Sequence, residues 1–83
     1  MMLEGTITTK ETGLHASFDG IEQSYVLCTI ARIHNPDITS QARIIGMADI
    51  PQGIGDTVSL SVLRVVTDRK AGIVRFDCTL NNP

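Results

Sequence analysis

The sequence predicts an all-β protein, a small and strongly curved antiparallel barrel of five or six strands in one domain over residues 1–83. Three observations carry this expectation. A chain of 83 residues is too short to build two hydrophobic cores. It reads as short runs rich in Val, Ile and Thr separated by Gly, Pro, Asn and Asp, which is the punctuation of strands and turns. Its clearest hairpin also carries a parity mismatch that a bulge, and therefore a bend, reconciles.

The first run, Leu3 to Lys10, alternates, with Leu3, Gly5, Ile7 and Thr9 on one face and Glu4, Thr6, Thr8 and Lys10 on the other. The second face is hydrophilic and β-prone, suiting an edge kept soluble by charge or paired with a second subunit. Gly13 breaks the run. Leu14, Ala16 and Phe18 then alternate with His15 and Ser17 up to a turn signal at Asp19-Gly20. Tyr25 to His34 is apolar on both faces, so the sequence expects a strand covered from two sides. Asn35-Pro36-Asp37 ends it, and Ile38 to Ala42 is read as a candidate helical turn with Asp37 or Thr39 as its cap. Arg43 to Ile50 is a further strand, followed by a loop from Pro51 to Asp56.

The last third holds two strong strands, Thr57 to Thr67 and Ala71 to Leu80, joined through Asp68-Arg69-Lys70-Ala71. Pairing Thr67 with Gly72 sets Val65 against Val74 and Leu63 against Phe76 on the inner face. Val58, Leu60 and Val62 then have the opposite parity. A bulge at Val62-Leu63 restores the match, with Leu60 opposite Cys78 and Val58 opposite Leu80.

Composition narrows function mainly by exclusion. A hydrophobic content of 42% suits a packed core and not a disordered chain. Charged residues at 19% are sparse for a domain with so much surface per residue, which points to a surface partly covered by a partner. The net charge of −2 and the three aromatics, Phe18, Tyr25 and Phe76, argue against a nucleic-acid surface, which needs a basic excess and stacking platforms. The N-terminal residues show no signal peptide, no run reaches transmembrane length, and Cys28 and Cys78 do not form a disulfide framework. The expectation is a cytoplasmic protein with reduced thiols and no membrane association.

No motif asks for a cofactor, and none is expected. His15, Cys28, His34 and Cys78 are isolated, without the short paired spacing of a zinc site. No base is placed beside a cysteine, and no nucleophile elbow or phosphate loop is present. Gly53-Ile54-Gly55 leads into a strand and so lacks the helix N-terminus of a dinucleotide fingerprint. The chain is accordingly read as a non-enzyme.

One constellation remains. The expected register places Arg64 directly across from Arg75 on the outer face of the last hairpin, an unfavourable like-charge pair. Arg69 and Lys70 follow at the tip, and Val66 and Ile73 form an apolar pair beside them. Arg64, Val66, Arg69, Lys70, Ile73 and Arg75 thus make a candidate partner-binding patch of mixed apolar and basic character. The competing reading is that Asp68 and Asp77 neutralise these cations within the fold.

Strongly bent strands with one longer excursion in the middle resemble the oligonucleotide/oligosaccharide-binding (OB) barrel. Gly5-Thr6-Ile7, Gly20-Ile21 before Tyr25, Ile50-Pro51, Gly55 to Leu60, Val65 to Arg69 and Phe76 are similar to the N-terminal barrel of the bacterial Holliday-junction-binding branch-migration subunit. The segment between Tyr25 and Pro51 is longer here, and the helix–hairpin–helix units that hold DNA in that family are missing. The resemblance implies the barrel, whose role in that family includes subunit assembly, and DNA binding does not carry over. Together these readings expect a protein-interaction module that self-associates. The alternatives are an OB-type nucleic-acid binder using Arg64, Arg69, Lys70 and Arg75, and a module that holds a small anionic ligand between subunits.

Overall fold

The computed structural model describes residues 1–81 and contains five strands among them: β1 (Met2–Phe18), β2 (Ile21–Arg32), β3 (Thr39–Ile45), β4 (Thr57–Asp68) and β5 (Ile73–Leu80). They form one sheet that closes on itself in the order β1-β2-β3-β5-β4. Every seam is antiparallel except β3–β5, which is parallel and pairs Gln41–Ile44 with Arg75–Cys78. The expectation of an all-antiparallel sheet is corrected at that seam, for a topological reason. Directions cannot alternate all the way round a ring with an odd number of strands, so one seam must be parallel.

Strand β1 is 17 residues long and would span about 56 Å if straight. The longest dimension of the molecule is 35 Å. The strand bends instead, through register shifts between Ile7 and Thr9 and between Glu11 and Leu14. Gly13, at φ +71°, sits within the second shift, so it marks a bulge inside one continuous strand and not the break expected from the sequence. The first part of β1 is held on both sides, by β2 and β4. Gly5 lies there because an added Cβ would collide with the Ala31 carbonyl oxygen. At the far end Asp19 (φ +53°) and Gly20 (φ +79°) form the two-residue turn that the Asp-Gly pair announces.

The interior of the ring is filled by Leu3, Ile7, Val26, Cys28, Ile30, Ala42, Ile44, Val58, Leu60 and Cys78. Strand β3 begins at Thr39, so the segment read as a helical turn is extended, and the strand ends before Gly46 (φ +88°). The connection to β4 contributes Ile50 to the core. Lys10 pins this connection, its Nζ donating to the Ile50 and Gln52 carbonyls at 3.0 and 2.8 Å and pairing with Asp49 at 2.9 Å.

In the β4–β5 hairpin, Val62 pairs with Cys78 and Arg64 with Asp77, which leaves Leu63 as the extra residue of a bulge. The bulge is where strand parity puts it, but the pairing is displaced by two residues from the expected register. Asp68 pairs with Ile73, leaving Gly72 (φ +67°) in the turn, where that backbone conformation belongs. The carboxylate of Asp68 accepts the Lys70 and Ala71 amides at 3.1 and 3.2 Å, fixing where the turn starts.

Candidate functional site

The register shift rewrites the patch on the last hairpin. Cross-strand partners share a face, so Arg64, Val66 and Asp68 lie beside Asp77, Arg75 and Ile73 on the outside of the ring. Arg64 therefore faces Asp77, not Arg75, and the expected like-charge pair is corrected to an ion pair with Nε–Oδ2 at 2.9 Å. Arg75 is opposite Val66, and its Nη2 stands 3.9 Å from Asp68. Arg69 and Lys70 lie exposed at the tip, while Val66 and Ile73 are half-buried. The six residues stay on one hairpin, but their charges at Arg64 and Arg75 are answered by the carboxylates of Asp77 and Asp68.

Asp77 is the centre of this arrangement and is only 1% exposed. It accepts Arg43 Nε at 2.7 Å, Arg43 Nη2 at 3.1 Å and Arg64 Nε at 2.9 Å. Such a buried carboxylate is tolerable because both oxygens are charge-paired. The end of the β1–β2 hairpin closes over it, forming a cleft of about 170 Å³ with Ser17, Phe18, Asp19, Arg43, Arg64 and Val66 in its walls. The Arg43 guanidinium lies 5.0 Å from the Phe18 ring centroid and 6.0 Å from that of Tyr25, and the two rings meet edge to face at 5.7 Å. Arg64 also reaches across to Asp19, with Nη1–Oδ1 at 3.1 Å and Nη2–Oδ2 at 3.4 Å. The guanidinium-to-carboxylate bonds raise the Arg64 pKa further, with Asp19 the main cause.

Arg43, Phe18, Asp19 and Tyr25 were not in the sequence-derived patch. Phe18, Tyr25 and Arg43 lie on three different strands and Asp19 in a turn, and only the β1–β2 hairpin folding over β3 and β5 joins them.

The other side of the hairpin is apolar. Leu63, Val65 and Val74 were expected in the interior and are 58%, 53% and 47% exposed. The reason is the length of the arm. Strand β4 pairs with β1 only through Ser61, with one further bond from the Val62 amide to the Met1 carbonyl. Strand β5 pairs with β3 only from Arg75 onward. The hairpin thus projects past the ring, and among the described residues no strand lies along β4 from Leu63 to Asp68. A second groove of about 370 Å³, lined by Met2, Glu4, Arg32, Ile33, His34, Asn35 and Ile38, opens at the β2–β3 connection.

Both cysteines are buried and free. Burial pushes the Cys28 thiol up, and it pushes Cys78 up to about 12, with the neighbouring Asp77 charge adding to the effect. Thiols so placed are poor nucleophiles. Among the described residues no three His, Cys, Asp or Glu side chains gather as metal ligands would, and no helix is long and apolar enough to cross a membrane. Comparison with protein-family models, curated proteins and solved structures finds no match.

Proposed function

We propose that this chain is an OB-like, non-enzymatic interaction module that acts through protein contacts and self-associates by its projecting β4–β5 arm. The observation that carries the reading is the exposure of Leu63, Val65 and Val74 on an arm whose β4 edge has no neighbour among the described residues. Apolar side chains grouped on an unpaired strand edge mark an interaction surface in a protein that stays folded. The small closed ring of five strands with a long, bent first strand supports the OB-like assignment. Sedimentation velocity from low micromolar to about 100 µM tests self-association. The expected result is a concentration-dependent shift toward a larger species, and a single monomer boundary throughout would remove that part of the proposal.

Nucleic-acid binding is the second reading, and one observation favours it. The outer cleft gathers Arg43 and Arg64 with Phe18 and Tyr25, and the basic tip residues Arg69 and Lys70 stand on the same hairpin as Arg64. Against it, the guanidiniums are engaged by Asp77 and Asp19, and Phe18 is buried under Arg43 rather than free to stack on a base. Fluorescence anisotropy with a labelled single strand at low salt separates the two. A flat titration is expected, whereas binding that weakens steeply with added salt would favour the second reading.

A further inference from the structure

We infer that the partner of the free β4 edge is the same edge of a second copy, paired antiparallel about a twofold axis at Val66. This deepens the self-association proposed above and rests on it. The argument begins with what guards an exposed edge. Proteins blunt such edges with Pro, Lys, inward charges or bulges that turn the strand away. Between Val65 and Thr67 there is no Pro, Gly or charge. The single bulge lies at the root of the arm, at Leu63. Arg64, the basic side chain just before this stretch, is held on the outer face by Asp77 and Asp19. Val65, beside it, is exposed.

Symmetry then limits the register. A twofold axis relating two antiparallel strands must be perpendicular to their shared sheet, so outer-face residues oppose outer-face residues. Centring the axis on Arg64 would set that arginine against itself. On Val65 it would set Arg64 against Val66, and on Thr67 it would set Arg64 against Lys70. Centring it on Val66 sets Arg64 against Asp68 of the second copy, twice over by symmetry, with Val65 against Thr67 on the other face. Opposite charges directly across a sheet are favourable and like charges are not. This register alone places a carboxylate opposite Arg64. Oδ1 of Asp68 accepts the Lys70 and Ala71 amides, and its Oδ2, 3.9 Å from Arg75, remains for this contact.

The test combines two variants with the sedimentation experiment. Val66→Cys places one thiol per chain on the axis, where cross-strand Cα separations of about 4.5–5.5 Å suit a disulfide. With copper-phenanthroline as oxidant, this variant is expected to form a covalent dimer on a non-reducing gel. The wild type, whose two cysteines are buried, and a Thr79→Cys control are expected to stay monomeric on that gel. Val65→Lys puts a charge on the exposed edge position and is expected to weaken self-association at least tenfold with an unchanged circular dichroism spectrum. It decides the matter should Val66→Cys fail to fold. A wild type that self-associates, with no Val66→Cys cross-link and no effect of Val65→Lys, would overturn the edge pairing and leave self-association standing. A wild type that stays monomeric overturns both.

Discussion

Asp77 shows how one side chain decides the character of a surface. On the sequence, Arg64, Arg69, Lys70 and Arg75 read as a basic patch, yet Asp77 meets Arg64 and Arg43 together and Asp68 stands by Arg75, which leaves Arg69 and Lys70 as its exposed cations. Losing it would leave two guanidiniums facing each other under the β1–β2 hairpin. Breaking a buried ion pair from one side costs about 3–5 kcal/mol. The side chains of Arg43 and Arg64 are 16% and 40% exposed and keep part of their hydration. Asp77→Ala is therefore expected to destabilise by about 2–3 kcal/mol in urea unfolding. The neighbouring Cys78 makes a prediction in pH. Its folded value of about 12 lies above the ordinary 9.0, so its contribution is fully present below pH 9 and is lost as pH rises toward 12. Between those limits the unfolded state ionises first, and stability should fall by up to about 1.4 kcal/mol per pH unit from this group. Urea midpoints of wild type and Cys78→Ala across that range check it, and the gap between them should narrow as pH rises.

Elements, by contrast, differ in how far a sequence reveals them. The bulge at Leu63 was legible because parity is a property of one strand: Val58 and Leu60 on one side of it cannot share a face with the register of the other side. The offset of the hairpin was not legible by the same means, since a shift of two residues preserves parity. What fixes it is the turn, where Asp68 caps the Lys70 and Ala71 amides and Gly72 takes positive φ. The Asp and Gly at the two ends of that loop were the available signal. Closure of the cleft was beyond a strand-by-strand reading, because Phe18 meets Arg43 only when β1 bends through two register shifts. Between β3 and β4 the sequence predicts a strand through Ile50 and a loop only from Pro51, whereas β3 stops at Ile45 and Ile50 enters the core from a connection tied by Lys10. Lys10→Ala removes two bonds to carbonyls and the ion pair to Asp49. It should cost about 1–2 kcal/mol and speed amide exchange at Gly13 and Gly55, whose amides bond to Ala48 and Ile7 along this connection. The Asp49 carboxyl is held below its ordinary value, chiefly by Lys10 and then by the Ile50 amide. Its share of the tether is therefore present above the normal carboxylate range and lost only as pH falls through that lowered value.

At the scale of the whole molecule, ring closure pairs the strands around the core and leaves the β4–β5 arm as a place where open edge and apolar surface coincide. A domain of 83 residues buries only about 60–65% of the surface its unfolded chain exposes, so its margin of stability is small. Covering Leu63, Val65 and Val74 by association then contributes to folding itself, because a partner that binds only the folded chain stabilises it by mass action. This coupling has a direct thermal signature. For a dimer that unfolds to two monomers, each tenfold rise in protein concentration adds about 0.7 kcal/mol per chain, roughly 3–5 °C in Tm for a domain of this size. Differential scanning calorimetry over two decades of concentration should show that rise in the wild type. Val65→Lys should flatten it and leave a lower, concentration-independent Tm, because the edge is then charged while the core inside the ring is untouched. A wild-type Tm that does not move with concentration would mean that the ring carries its own stability without a second copy on the arm, and would overturn self-association.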